Sequence, residues 1–148
     1  MKLMLVCTSG GHFSTMQSLK KFWSQHERVW VTDYKADTMT LEDVEKVHWL
    51  PYQGPRDVKG FAYNLWPSIK IVRKEKPDLV VSTGANIAVN FAVAAKLMGA
   101  EFMFIESLSR STELSLTGKL VYPICDQLYV QWPGLTKRYK KAVFTGRI

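Results

Sequence analysis

Apolar and polar positions fall into short blocks whose period switches between continuous runs and helical spacing. Residues 2–8 (KLMLVCT) are a mostly apolar run closed by a Gly-Gly pair, the pattern of a buried strand. Over 13–25, Phe13, Met16, Leu19, Phe22 and Trp23 recur at helical spacing with lysines between them, which predicts one amphipathic helix. Strands are predicted over 28–33 (RVWVTD) and 46–50 (KVHWL); the polar stretch YKADTMTLED between them reads as a loop with room for a helical turn. Residues 57–76 are helix-prone but contain Pro67, whose missing N–H predicts a kink or two helical pieces. A strand over 77–84 (PDLVVSTG) ends in a second glycine loop. The nearly all-apolar stretch 86–99 then predicts a buried helix closed by Gly99. A strand over 101–107, a short helix over 117–125, a strand over 127–132 and a last one over 141–146 complete the pattern.

Strands alternating with helices at this spacing predict an α/β fold, a parallel sheet with helices on both faces. The chain has no repeats, linkers or low-complexity tracts, and 148 residues suit one Rossmann-like domain over 1–148. A hydrophobic fraction of 47% with 22% charged residues excludes a disordered or fibrous chain. No apolar run reaches the ~18 residues of a membrane-spanning helix. The opening MKLMLVC is too short for a signal peptide and runs into glycines. Cys7 and Cys125 lie far apart with no zinc spacing, so they read as reduced core thiols and no metal is expected. The net charge of +7 favours anionic partners, and phosphates, acidic lipid and nucleic acid all satisfy it equally.

Location decides between them. Parallel sheets bind ligands beyond the carboxyl ends of their strands, where the strand order reverses. Three polar segments fall at such ends: TSGGH, STGAN and ESLSR. In the first, Gly10 and Gly11 let backbone approach an anion at a helix start, with Ser9, Ser14 and Thr15 adding donors; a tight turn without a ligand is the alternative. His12 can serve as a base or phosphate ligand, or merely tie the loop together. Ser82, Thr83, Gly84 and Asn86 offer donors from the second segment, although Thr83 or Asn86 also suits a helix cap. In the third, Glu106 is a candidate base or sugar ligand and Arg110 a phosphate ligand, unless the two pair with each other. The residues lack G-x-G-x-x-G, a P-loop lysine and G-x-S-x-G, which argues against dinucleotide, P-loop and hydrolase chemistry.

Over 61–76, Phe61, Leu65, Trp66 and Ile69 lie beside Lys70, Arg73 and Lys74. Aromatic anchors next to a basic cluster suit an anionic membrane surface, although one side of this helix must pack on the sheet.

Taken together, CTSGGH, KEKPDLVVSTGANIAV, FIESLSR and SLTGKLVYPICDQLYVQW resemble one family across essentially the whole chain. It comprises the membrane-associated subunit of the two-component N-acetylglucosaminyltransferase of N-glycan assembly and PssD-like bacterial relatives in capsule and exopolysaccharide synthesis. The bacterial branch is the expected affiliation, since the sequence lacks the N-terminal anchor usual in eukaryotic members. Asn90 departs from the pattern, standing where many bacterial relatives have proline. The resemblance implies the N-terminal, acceptor-binding half of a GT-B glycosyltransferase related to MurG. A separate donor-binding glycosyltransferase subunit would supply the other half and hold most of the UDP-sugar, so no tightly bound cofactor is expected here. The implied acceptor is a polyprenyl-diphosphate-linked saccharide, met at the cytoplasmic face of the cell membrane. His12 matches the histidine of the GGH loop in MurG-like enzymes, which favours a site role for it. Residues 142–148 follow as a partner-docking tail, with Val143, Phe144 and Ile148 as its apolar contacts, and the chain alone should bind without turnover. The competing reading is a stand-alone nucleotide-binding enzyme of Rossmann-like fold. A nucleic-acid-binding module ranks below both for want of a recognition motif.

Overall fold

The computed structural model describes residues 1–148. Seven strands form one sheet: β1 (Lys2–Cys7), β2 (Glu27–Thr32), β3 (Val47–Trp49), β4 (Leu79–Gly84), β5 (Glu101–Ile105), β6 (Gln127–Tyr129) and β7 (Ala142–Val143). Every pairing is parallel, in the order β3-β2-β1-β4-β5-β6-β7. The order reverses between β1 and β4, where a ligand crevice opens in folds of this kind.

The pleat divides the core. Met4, Val6, Val29, Val31, Val80, Phe102, Phe104 and Leu128 face one side. There α3 (Val58–Glu75), α4 (Ile87–Met98) and α5 (Leu116–Val121) cover the sheet. Leu3, Leu5, Cys7, Trp30, Val81 and Ile105 face the other, covered by α1 (Gly11–Ser18) and α2 (Lys20–Trp23). This second cover does not extend to the far strands. Met103, Ile105 and Tyr129 remain in an apolar groove of about 220 Å³ with Leu19, Phe22 and Ile148.

Three elements differ from the sequence-based expectation. The helix expected over 13–25 breaks at Leu19, because the Met16 carbonyl accepts from Leu19 N at 3.1 Å and from the Trp23 indole at 2.8 Å. Helix α3 runs unbroken through Pro67 rather than in two pieces. The carbonyl left without a donor four residues earlier belongs to Tyr63, which is exposed and can be served by water. A turn of helix, α6 (Leu135–Arg138), stands where none was expected. The helical turn allowed for in the polar loop is present as a 3-10 turn over Met39–Asp43. Both thiols are buried and unpaired, and burial raises the pKa of each, that of Cys7 well above its ordinary range.

No helix is long and apolar enough to cross a membrane. Of the residues expected at a membrane surface, Ile69 packs partly against the core, and Phe61 and Leu65 are half-buried. Trp66, Lys70, Arg73 and Lys74 are exposed, joined by Tyr63.

Candidate functional site

The three polar segments do converge. At the carboxyl edge of the sheet, His12, Gly84, Asn86, Glu106, Ser107 and Arg110 line one polar cavity of about 590 Å³. A fourth segment joins them that sequence reasoning missed: Pro55 and Arg56, from the loop between β3 and α3. The only available signal was a lone arginine in GPRD at a strand's carboxyl end.

His12 enters the cavity from the first turn of α1. Its Nδ1 lies 2.7 Å from the Thr83 carbonyl, and Thr83 Oγ1 donates back to the His12 carbonyl at 2.6 Å. A carbonyl only accepts, so Nδ1 holds the proton, and in the neutral ring Nε2 keeps its lone pair. No protein group bonds Nε2. Gly84 makes the approach possible. Its φ is +107°, and a Cβ there would stand 2.8 Å from the imidazole ring.

Many of the expected ligand donors are instead engaged within the protein. Ser9 gives its N–H and hydroxyl to the two oxygens of Asp33 at 2.7 and 2.8 Å, and Gly10 N donates to Asp37 at 2.7 Å. These carboxylates fill the part of the anion cradle expected at Ser9 and Gly10. The unpartnered N–H groups of Gly11, His12 and Phe13 remain at the α1 start, with the exposed Ser14 beside them. Thr15 folds back onto the Gly11 carbonyl at 3.0 Å. In the second segment, Ser82 Oγ accepts from Gly84 N at 3.2 Å. Asn86 bridges two elements, donating to the Gly54 carbonyl and accepting from Thr117 Oγ1 at 2.9 Å.

Glu106 is 1% exposed. One oxygen accepts from Ser107 N at 2.9 Å, and the other from Ser115 N and Ser115 Oγ, both at 2.9 Å. Gly118 lets α5 approach, since a Cβ there would collide with Glu106 Oε2. Glu106 thus ties the end of β5 to the α5 start and makes no ion pair with Arg110. Arg110 and Arg56 are both exposed and neither lies within 4.0 Å of a carboxylate. Two unpaired guanidinium groups and a free imidazole nitrogen therefore border one cavity, a donor set suited to an anion beside a hydroxyl.

At the C-terminus, Phe144 packs partly against the core, whereas Val143 and Ile148 are exposed. Ile148 N donates to Gln131 Oε1 at 3.0 Å, and Arg147 stacks 4.1 Å above Trp132, which holds the tail beside the apolar groove.

The fold resembles solved structures at low sequence identity. The crystal structure of MurG from Acinetobacter baumannii superposes with a TM-score of 0.80 at 17% identity, covering 97% of this chain and 45% of that one. The S. aureus MnaA–UDP co-structure gives a TM-score of 0.78 at 17% identity, over 99% of this chain and 45% of that one. The chain is thus a single α/β domain resembling the N-terminal half of such GT-B proteins.

Sequence relatives are nearer. A Yarrowia lipolytica protein named UDP-N-acetylglucosamine transferase subunit ALG14 is 32% identical over 174 aligned positions, covering 98% of this chain and 80% of the relative. The Homo sapiens protein of the same name is 34% identical over 100 positions, covering 64% of this chain and 46% of the relative. Residues 55–148 match the family described as "Oligosaccharide biosynthesis protein Alg14 like". Those residues contain the second and third segments of the cavity and both its arginines, and the chain belongs to the Alg14-like family.

Proposed function

We propose that this chain is the acceptor-binding and membrane-docking subunit of a two-component glycosyltransferase. The complex transfers a sugar from a UDP-sugar to a polyprenyl-diphosphate-linked saccharide, in lipid-linked oligosaccharide or surface polysaccharide synthesis of the PssD type. The observation that carries this reading is the cavity in which His12 Nε2 stands free beside Arg56 and Arg110. The relatives' names, as subunits of a UDP-N-acetylglucosamine transferase, support the reaction class.

In the proposed reaction, Arg56 and Arg110 hold the acceptor's diphosphate, and the open N–H groups at the α1 start face the same ligand. The attacking sugar hydroxyl gives its proton to His12 Nε2 as its oxygen bonds to the donor's anomeric carbon. The bond from that carbon to UDP breaks, and UDP leaves on the partner's side. The Thr83 carbonyl keeps the imidazole in the required tautomer throughout. Glu106, buried and fully engaged, is a positioning residue for the Ser107–Ser115 segment and not the base.

A donor-binding subunit docks on the open apolar groove, against Ile148 in its lining and the exposed Val143, the β7 partner of Tyr129, whereas Phe144 packs against the core on the other face of the sheet. The complex sits peripherally on the cytoplasmic face of the membrane, with Trp66, Lys70, Arg73 and Lys74 toward anionic lipid. The test is affinity purification from detergent-solubilised native membranes, followed by transfer assays on the components. The expected result is a second subunit that binds UDP-sugar, with transfer by the pair and by neither alone. Purification of the chain alone from the soluble fraction, or tight binding of UDP-sugar or NAD by it unaided, would favour a stand-alone nucleotide-binding enzyme.

A further inference from the structure

A second hollow of about 360 Å³ adjoins the polar cavity, within the ~300–1,000 Å³ range of small-molecule sites. It arises from two short stripes of apolar side chains. The first turn of α3 presents Val58 and Phe61, three residues apart, and α5 presents Leu116 and Leu120, four apart. The opposite side of α5 is already committed to the interior through Thr117, Gly118 and Val121. Val89 of α4 contributes to the lining. Val58 is 79%, Leu116 45% and Leu120 53% exposed, so the groove is open to an incoming chain. Single exposed apolar residues are ordinary, but these are gathered around one concave surface.

The two hollows share Arg56, Asn86 and Leu116. A polar chamber with two unpaired guanidinium groups therefore abuts an apolar groove, with Arg56 common to both. The pair matches an amphiphile having an anionic head and a hydrocarbon tail.

We propose that the groove between α3 and α5 is a subsite for the first isoprene units of the acceptor, with the diphosphate on Arg56 and Arg110. This inference rests on the acceptor-binding reading above and adds that the protein grips the lipid chain itself as well as its head. Asn86, bonded to Gly54 on one side and Thr117 on the other, fixes the wall where head and tail subsites meet.

The test is titration of the folded chain, without membranes, with inorganic diphosphate and with farnesyl diphosphate below its micellar concentration. Farnesyl diphosphate is expected to bind at least about tenfold more tightly, through burial of apolar carbon in the groove. Leu120→Asn and Val58→Asn change exposed positions without adding charge beside Arg56, and should remove that advantage while leaving inorganic diphosphate affinity unchanged. Equal affinity for the two ligands would overturn the tail subsite and leave the diphosphate site standing. Failure of both to bind would overturn the acceptor reading along with it. If the two variants kept farnesyl diphosphate affinity but lost binding to anionic vesicles, the groove would be a membrane-facing patch and the inference would fail.

Discussion

His12 Nε2 is available because two neighbours hold the rest of the ring: the Thr83 carbonyl occupies Nδ1, and Gly84 passes beneath the imidazole. Gly84→Ala should therefore act twice. Its φ of +107° strains any side-chain-bearing residue by about 1–3 kcal/mol, and the new Cβ displaces the imidazole. The expected outcome is lower thermal stability with a transfer rate reduced roughly tenfold or more. An alanine variant with the parental rate would show that this ring position is unimportant. The glycines, His12 and Arg110 were legible in the sequence as chemistry-bearing types at strand ends. Arg56 was not, because its place depends on how the loop after β3 folds across to α5. Nor could the sequence reveal that Asp33 and Asp37 fill part of the first cradle, since these contacts span 24 and 27 residues.

Individual elements show the same division between local and distant causes. Strand and buried-helix patterns were legible because burial on both faces leaves continuous apolar runs, as in β4 and α4. The continuity of α3 through Pro67 was not, since it depends on the exposure of Tyr63. The far end of α3 holds a second feature invisible to pattern reading. Glu75, buried, meets Lys46 Nζ at 2.8 Å, His48 Nε2 at 2.7 Å and Lys2 Nζ at 3.1 Å, pinning α3 to the edge strand β3 and to the start of the central strand β1. Burial opposes ionisation of this carboxyl, but hydrogen bonds from Lys46, His48 and Lys2 outweigh it and hold the pKa at about 2. Because the folded value lies below the ordinary carboxylate value, the stabilisation is complete above about pH 4.5. It fades as pH falls toward 2. Glu75→Gln should cost about 2 kcal/mol near neutral pH after allowance for solvent screening, and progressively less toward pH 2. Chemical denaturation across that range measures the difference. A constant gap between parent and variant would show that the charge contributes nothing.

For the molecule as a whole, the arrangement of surfaces follows from which sheet face is left open and which helix turns outward. The uncovered part of the sheet is the apolar groove lined by Leu19, Phe22, Met103 and Ile148, to which the proposed function assigns the donor-binding subunit. Tyr63, Trp66, Lys70, Arg73 and Lys74 form the exposed aromatic and basic part of α3. Recruitment to vesicles containing acidic phospholipid should weaken steeply with added salt, and replacing Lys70, Arg73 and Lys74 by glutamine should abolish it at physiological ionic strength. Binding to neutral and acidic vesicles alike would point to apolar insertion alone.

On the proposed function, this chain, and not its partner, supplies the base that activates the acceptor. The most direct measurement is the turnover rate of the reconstituted two-subunit complex with His12→Ala against the parent, at saturating UDP-sugar and polyprenyl-diphosphate acceptor. The variant is expected to lose about 10²–10⁴-fold in kcat with little change in the KM for acceptor. A kcat within a fewfold of the parent would contradict this role for His12 and move the base to another residue.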